Sequence, residues 1–121
     1  MQKKYKRSAI AAVAAVKKHI DSQRVNGEST TALAHKYGIS RNVLQEIFKV
    51  KYKVSIGHYR LKLRMHEAQK LLRGGHSIKE VSFSLEYASH SSFTNAFRNF
   101  FHLSPAEWRR IHYNANKHVK L

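Results

Sequence analysis

The chain repeats itself. Residues 41–49, moved forward by 49 positions, land on 90–98 in register. Leu44, Ile47 and Phe48 fall on Phe93, Ala96 and Phe97, the inward face of an amphipathic helix in both copies. The outward face follows: Arg41, Asn42, Gln45, Glu46 and Lys49 fall on His90, Ser91, Thr94, Asn95 and Arg98. Val54-Ser55 then meets Leu103-Ser104, and Tyr59 meets Trp108. Upstream the offset drops to 48, pairing Leu33-Ala34 with Val81-Ser82 and Tyr37 with Leu85, so the second turn is one residue longer. Each half reads as helix, tight turn, helix, then the start of a packing helix. A chain of 121 residues has room for two very small units that share a helix.

The remaining punctuation predicts an all-α fold of seven helices. No segment sustains the two-residue alternation of a half-buried strand, and the only proline is Pro105. The first helix spans Ser8 to Gln23, followed by a polar connection at Val25-Asn26-Gly27-Glu28. Ser29 or Thr30 caps a short helix to Tyr37, and Ser40 caps a third to about Val50. Ser55 opens a long fourth helix that stops at Gly74-Gly75. Ser77 with Glu80 and Ser104 with Glu107 read as capping boxes for the fifth and seventh helices. The sixth helix lies between them and ends near Phe101.

Within residues 33–47 the pattern meets the packing demands of a helix-turn-helix. Ala34 is small where two helices cross, Gly38 suits a left-handed turn, and Leu33, Tyr37, Ile39, Leu44 and Ile47 supply apolar contacts. The fourth helix carries two apolar rows, Ile56-Tyr59-Leu63 and Leu61-Met65-Ala68-Leu72, as a helix shared by two subdomains requires. Its 18 residues span roughly 27 Å, close to the ~34 Å between successive major-groove turns on one DNA face. The expected division is 1–54, an N-terminal helix with the first unit; 55–74, a linker helix; and 75–121, the second unit with a C-terminal helix.

Charge narrows the partner. There are 23 Lys plus Arg against 7 Asp plus Glu, a formal net charge of +16, which calls for a polyanion: nucleic acid first, then an anionic membrane surface or an acidic protein. Cysteine is absent, which excludes disulfides and thiolate metal sites. Lys3, Lys4, Lys6 and Arg7 before the apolar run Ala9–Val16 resemble a secretion signal at first sight. The run is short, rich in alanine, lacks leucine and meets Lys17-Lys18 at once, so it reads as an amphipathic helix. None of the nine histidines stands three or four residues from another, so neither a metal nor a cofactor is expected. No nucleophile–base grouping, phosphate loop or carboxylate pair stands out, and a non-enzyme is expected.

Three segments together resemble the DNA-binding region of the AraC/XylS family of bacterial transcription regulators. They are Leu33 to Ser40 with Leu44 and Phe48; Tyr59, Arg64 and Ala68 to Leu72; and Ser77 to Val81 with Phe93, Ala96-Phe97-Arg98, Leu103-Ser104-Pro105 and Arg109. The resemblance covers about Ile20 to Arg110. It implies two helix-turn-helix subdomains joined by a long helix, with helices 41–50 and 90–101 in the major groove. Asn42, Gln45 and Glu46 then occupy the base-reading positions of the first unit, and His90, Ser91 and Asn95 those of the second. Where the family has glycine this chain has Lys53, Glu86 and His102, so those turns are either reshaped or strained. Most members also carry an effector-sensing domain; this chain resembles the short stand-alone members, or an excised domain.

The chemistry of these residue types agrees. Asn42 and Gln45 can each pair twice with adenine, and Glu46 can accept from cytosine N4. Arg41, Lys49, Lys51, Lys53 and Arg98 are candidate phosphate contacts, which position without specifying. Arg64 sits too centrally for that role alone, and a bond to a backbone carbonyl or to Glu67 or Glu46 is expected. The first unit, with the longer side chains, is expected to supply most base readout. The expected partners are double-stranded DNA, bound by a monomer, and RNA polymerase, in a bacterial cytoplasm at the nucleoid. Two other readings fit the charge: a non-specific RNA- or nucleoid-binding protein, and a basic adaptor for an acidic protein.

Overall fold

A computed structural model describes residues 4–23 and 27–119, with side chains as far as His112. The polar connection expected at Val25-Asn26 lies outside the described residues. Seven helices are present: α1 (Arg7–Gln23), α2 (Thr30–Lys36), α3 (Arg41–Tyr52), α4 (Ile56–Arg73), α5 (Ile78–Ser84), α6 (His90–Phe101) and α7 (Pro105–Val119). No strand occurs among the described residues. None of these helices is long and apolar enough to cross a membrane, again among the described residues.

Serine opens six of the seven. Ser29, Ser40, Ser77 and Ser89 each accept a hydrogen bond from the third residue of the following helix. Ser55 and Ser104 do the same for His58 and Glu107. Each bond satisfies a backbone N–H that has no partner inside the helix, a contribution of about 0.5–2 kcal/mol. Glu80 and Glu107 return the bond to the N–H of Ser77 and Ser104, completing two capping boxes. Those bonds hold both carboxyls below the ordinary carboxylate range.

The chain divides into two compact units, residues 1–63 and 64–121, and the division falls inside α4. The core of unit 1 is Val13, Val16 and Ile20 of α1, Leu33 and Ala34 of α2, Leu44, Ile47 and Phe48 of α3, and Ile56. Tyr59 and Leu63 pack against its edge, so the first apolar row of α4 serves unit 1. In unit 2 the buried set is Met65, Ala68 and Leu72 of α4, Val81, Ser82 and Leu85, Phe93 and Phe97, and Pro105 and Trp108. From Met65 onward the second row of α4 therefore serves unit 2, while Leu61 is half-buried and falls within unit 1.

The buried sets match beyond the repeat visible in the sequence. Val13-Val16-Ile20 and Met65-Ala68-Leu72 share one spacing, 52 residues apart. The second half of α4 thus does for unit 2 what α1 does for unit 1. Aromatic packing repeats as well: Phe48 lies 5.6 Å from Tyr59 and 4.7 Å from Tyr52 between ring centroids. Phe97 lies 6.1 Å from Trp108 and 4.7 Å from Phe101. Edge-to-face and tilted pairs at such distances add about 0.5–1.5 kcal/mol beyond their burial.

Lys53, Glu86 and His102 keep the left-handed backbone that the missing glycines suggest, with φ of 62°, 63° and 64°. The turns are therefore strained and not reshaped. Surrounding hydrogen bonds hold each one: Lys53 N–H donates to Lys49 O and His102 N–H to Arg98 O. Around Glu86, Tyr87 N–H donates to Ser82 O, matching Ile39 N–H to Ala34 O around Gly38. Ser82, at the small-residue position, is buried with its hydroxyl donating to Ile78 O at 2.9 Å.

Candidate nucleic-acid interface

α3 and α6 project their outward stripes from matching scaffolds. On α3, Leu44, Ile47 and Phe48 face the core, which leaves Arg41, Asn42, Gln45, Glu46 and Lys49 exposed. Helical spacing of three and four residues gathers Asn42, Gln45, Glu46 and Lys49 on one face. Lys53 is exposed just beyond the helix end. Lys51 is exposed too but lies off the stripe: it follows buried Leu44 by seven residues, and its ammonium sits 5.5 Å from the Tyr52 ring.

On α6, Phe93 and Phe97 face the core, and His90, Ser91, Asn95 and Arg98 are exposed. Thr94 departs from its counterpart Gln45. It is half-buried, and its hydroxyl oxygen is enclosed without a hydrogen-bond partner. Ala96 is half-buried rather than buried. The second stripe is consequently narrower than the first.

Each stripe is aimed by a bond that anchors the preceding helix. Arg60 of α4 donates to Glu28 O at 2.6 Å and to Thr30 Oγ1 at 3.2 Å, at the entrance to α2. Arg109 of α7 donates to His76 O, at the entrance to α5. The arginines are 49 residues apart and the carbonyls 48, so the bond belongs to the repeat. Arg60 was not among the sequence candidates; aligning it with Arg109 would have found it. In unit 1 the entrance is also held by Glu28, 3.3 Å from His19 Nε2 and 3.4 Å from Lys36 Nζ.

Two side chains take unexpected partners. Arg64 stacks its guanidinium over Tyr87, 5.6 Å from the ring centroid, instead of the expected carbonyl or carboxylate. Tyr87 follows the left-handed Glu86 and contacts Phe93 at 5.5 Å, so the arginine braces the turn that precedes α6. Glu46 accepts a hydrogen bond of 3.0 Å from the Tyr5 hydroxyl, 41 residues away. No three histidine or carboxylate side chains converge as a metal site among the described residues.

A family model described as a helix-turn-helix domain matches residues 33–111. The Msm operon regulatory protein of Streptococcus mutans is 36% identical over 104 residues, covering 85% of this chain and 37% of that protein. The probable transcription factor PqrA of Proteus vulgaris is 34% identical over 88 residues, covering 72% of each. Among solved structures, the DNA-binding domain of AdpA in complex with a target DNA superposes with a TM-score of 0.76 at 21% identity, over 86% of this chain and 95% of that one. An AraC-type regulator from Chromobacterium violaceum superposes with a TM-score of 0.71 at 24% identity, over 87% and 95%. At these identities the two structures share the fold. The chain spans little more than a third of the Streptococcus mutans relative and about 72% of PqrA.

Proposed function

The chain belongs to the AraC-type helix-turn-helix family of transcription regulators, and we propose that it binds double-stranded DNA sequence-specifically through α3 and α6, set into adjacent major-groove segments. The observation that carries this is the duplication: two matching scaffolds each leave one polar helix face exposed. Asn42, Gln45 and Glu46 read bases in the first segment, and His90, Ser91 and Asn95 in the second. Arg41, Lys49, Lys53 and Arg98 contact phosphates beside them, and Lys51 does so from the flank. One chain supplies both recognition helices, so a monomer is the binding form. The 55–74 helix joins the two reading units. No part of this reading calls for catalysis, and RNA polymerase is the further partner, at the bacterial nucleoid in the cytoplasm.

Selection of bound sites from a random-sequence duplex pool tests the reading. The expected product is a motif of two boxes about one helical turn apart. A pool that enriches nothing, with scrambled duplexes bound equally at matched salt, would instead indicate a non-specific nucleic-acid binder. Absence of duplex binding even at low salt would indicate an adaptor for an acidic protein.

A further inference from the structure

Glu46 is out of place on electrostatic grounds. It stands on the exposed face of α3 between Asn42 and Lys49, where a bound duplex brings its phosphates. A carboxylate there opposes binding unless it is held to a specific task. Its counterpart on α6 is the neutral Asn95.

Tyr5 supplies the hold. It precedes α1, and its ring packs against the core of unit 1. The surrounding segment lies along the first turn, where Lys4, Tyr5 and Ser8 line a recess with Tyr37, Gly38 and Val43. With its ring anchored, the Tyr5 hydroxyl donates to Glu46 Oε2 at 3.0 Å. The repeat offers no such donor in unit 2: the 52-residue offset that aligns α1 with α4 puts Gly57 at the Tyr5 position. Carboxylate and donor therefore occur together in one unit and are both missing from the other.

We infer that Tyr5 is a positioning residue for base selection: its hydroxyl fixes the Glu46 carboxylate so that the second oxygen meets a base-edge donor. A carboxylate only accepts hydrogen bonds. In the major groove it matches the amino group of cytosine or adenine and rejects the acceptors of guanine and thymine at the same edge. Fixing the rotamer beforehand removes part of the ordering cost on binding. The inference rests on the reading of α3 as a recognition helix.

The test compares wild type, Tyr5→Phe, Glu46→Gln and the double variant on duplexes varied one base pair at a time around the selected site. Glu46→Gln is expected to change the preference at one base pair. Tyr5→Phe is expected to flatten the preference at that same pair by roughly threefold or more, leaving other positions alone. In the Glu46→Gln background it is expected to do nothing further, as a coupled pair requires. A purely structural role would lower affinity for every duplex alike, and that result overturns the inference. So does an unchanged preference in Tyr5→Phe, or an unchanged preference in Glu46→Gln. If the wild type selects a site and these outcomes follow, only the inference fails; if it selects none, the function proposed above fails with it.

Discussion

In unit 1 the left-handed residue of the turn is Gly38, at φ 73°; in unit 2 it is Glu86, at φ 63°. In unit 1 the arginine of the packing helix reaches Glu28 O; in unit 2 it reaches His76 O. Phe48 leans on Tyr59 as Phe97 leans on Trp108. The two units thus repeat these contacts at matching places, although several of the side chains differ. They differ most along the outward stripe, where Gln45 and Glu46 stand opposite Thr94 and Asn95 in the repeat. Backbone hydrogen bonding and core volume constrain the scaffold. The stripe is freer of both constraints, and it is where the two units differ most.

The largest expected asymmetry is in base reading. Gln45→Ala should relax specificity at one box by roughly 1–3 kcal/mol. Thr94→Ala should barely change it, because that hydroxyl is enclosed. Arg41→Ala provides the contrast: it should weaken all duplexes alike and lower the salt slope by about 0.9. Equal losses at both boxes from Gln45→Ala and Thr94→Ala would make the two stripes equivalent after all.

Next come the turns. A non-glycine residue in the left-handed region costs about 1–2 kcal/mol, and glycine returns part of that through the freedom of the unfolded chain. Glu86→Gly should therefore raise stability by up to about 1 kcal/mol, and Gly38→Ala should lower it by about as much. Beyond its chain neighbours nothing lies within 4 Å of the space a Gly38 side chain would enter, so strain alone is at issue there. Chemical denaturation measures both. A loss of stability in Glu86→Gly would mean that the Glu86 side chain carries a contact worth more than the strain.

The smallest effect distinguishes the units by acid. Glu80 and Glu107 cap helices of unit 2, whereas the repeat places Ala32 and His58 at those positions in unit 1. Both glutamates have folded pKa values below the ordinary 4.5, because the backbone N–H and then the hydroxyl of Ser77 or Ser104 favour the charged form. Their stabilisation is complete above the unfolded pKa and disappears as pH falls through the folded values. Trp108, the one tryptophan, is buried in unit 2 and reports its unfolding by fluorescence. Glu80→Gln with Glu107→Gln should shrink the acid dependence of that transition between about pH 5 and pH 3. An undiminished slope would place the acid-sensitive groups elsewhere.

Much of this was legible because it is local. A serine three residues before a backbone N–H, or an apolar row at helical spacing, is written into a few consecutive positions. All seven helices, the serine caps other than Ser89, the left-handed stop at Gly75 and the longer second turn followed from such patterns. So did most of the two rows of α4 and the exposed faces of α3 and α6, apart from half-buried Thr94.

Other features depend on which helices cross, and a string of residues does not record that. The equivalence of α1 with the second half of α4 was hidden because Val, Val and Ile stand opposite Met, Ala and Leu, which share only burial and spacing. The Arg60 bond spans 32 residues, and the Tyr5 bond to Glu46 spans 41. Arg64 chose the Tyr87 ring over a carboxylate because α4 passes that turn. By itself the sequence determined the duplicated helix-turn-helix plan, since hydrogen bonds three to five residues apart and helical periodicity are properties of short segments. The tertiary structure alone decided which side chains steady the two reading faces. Those contacts join residues that only the packing of distant helices brings within reach.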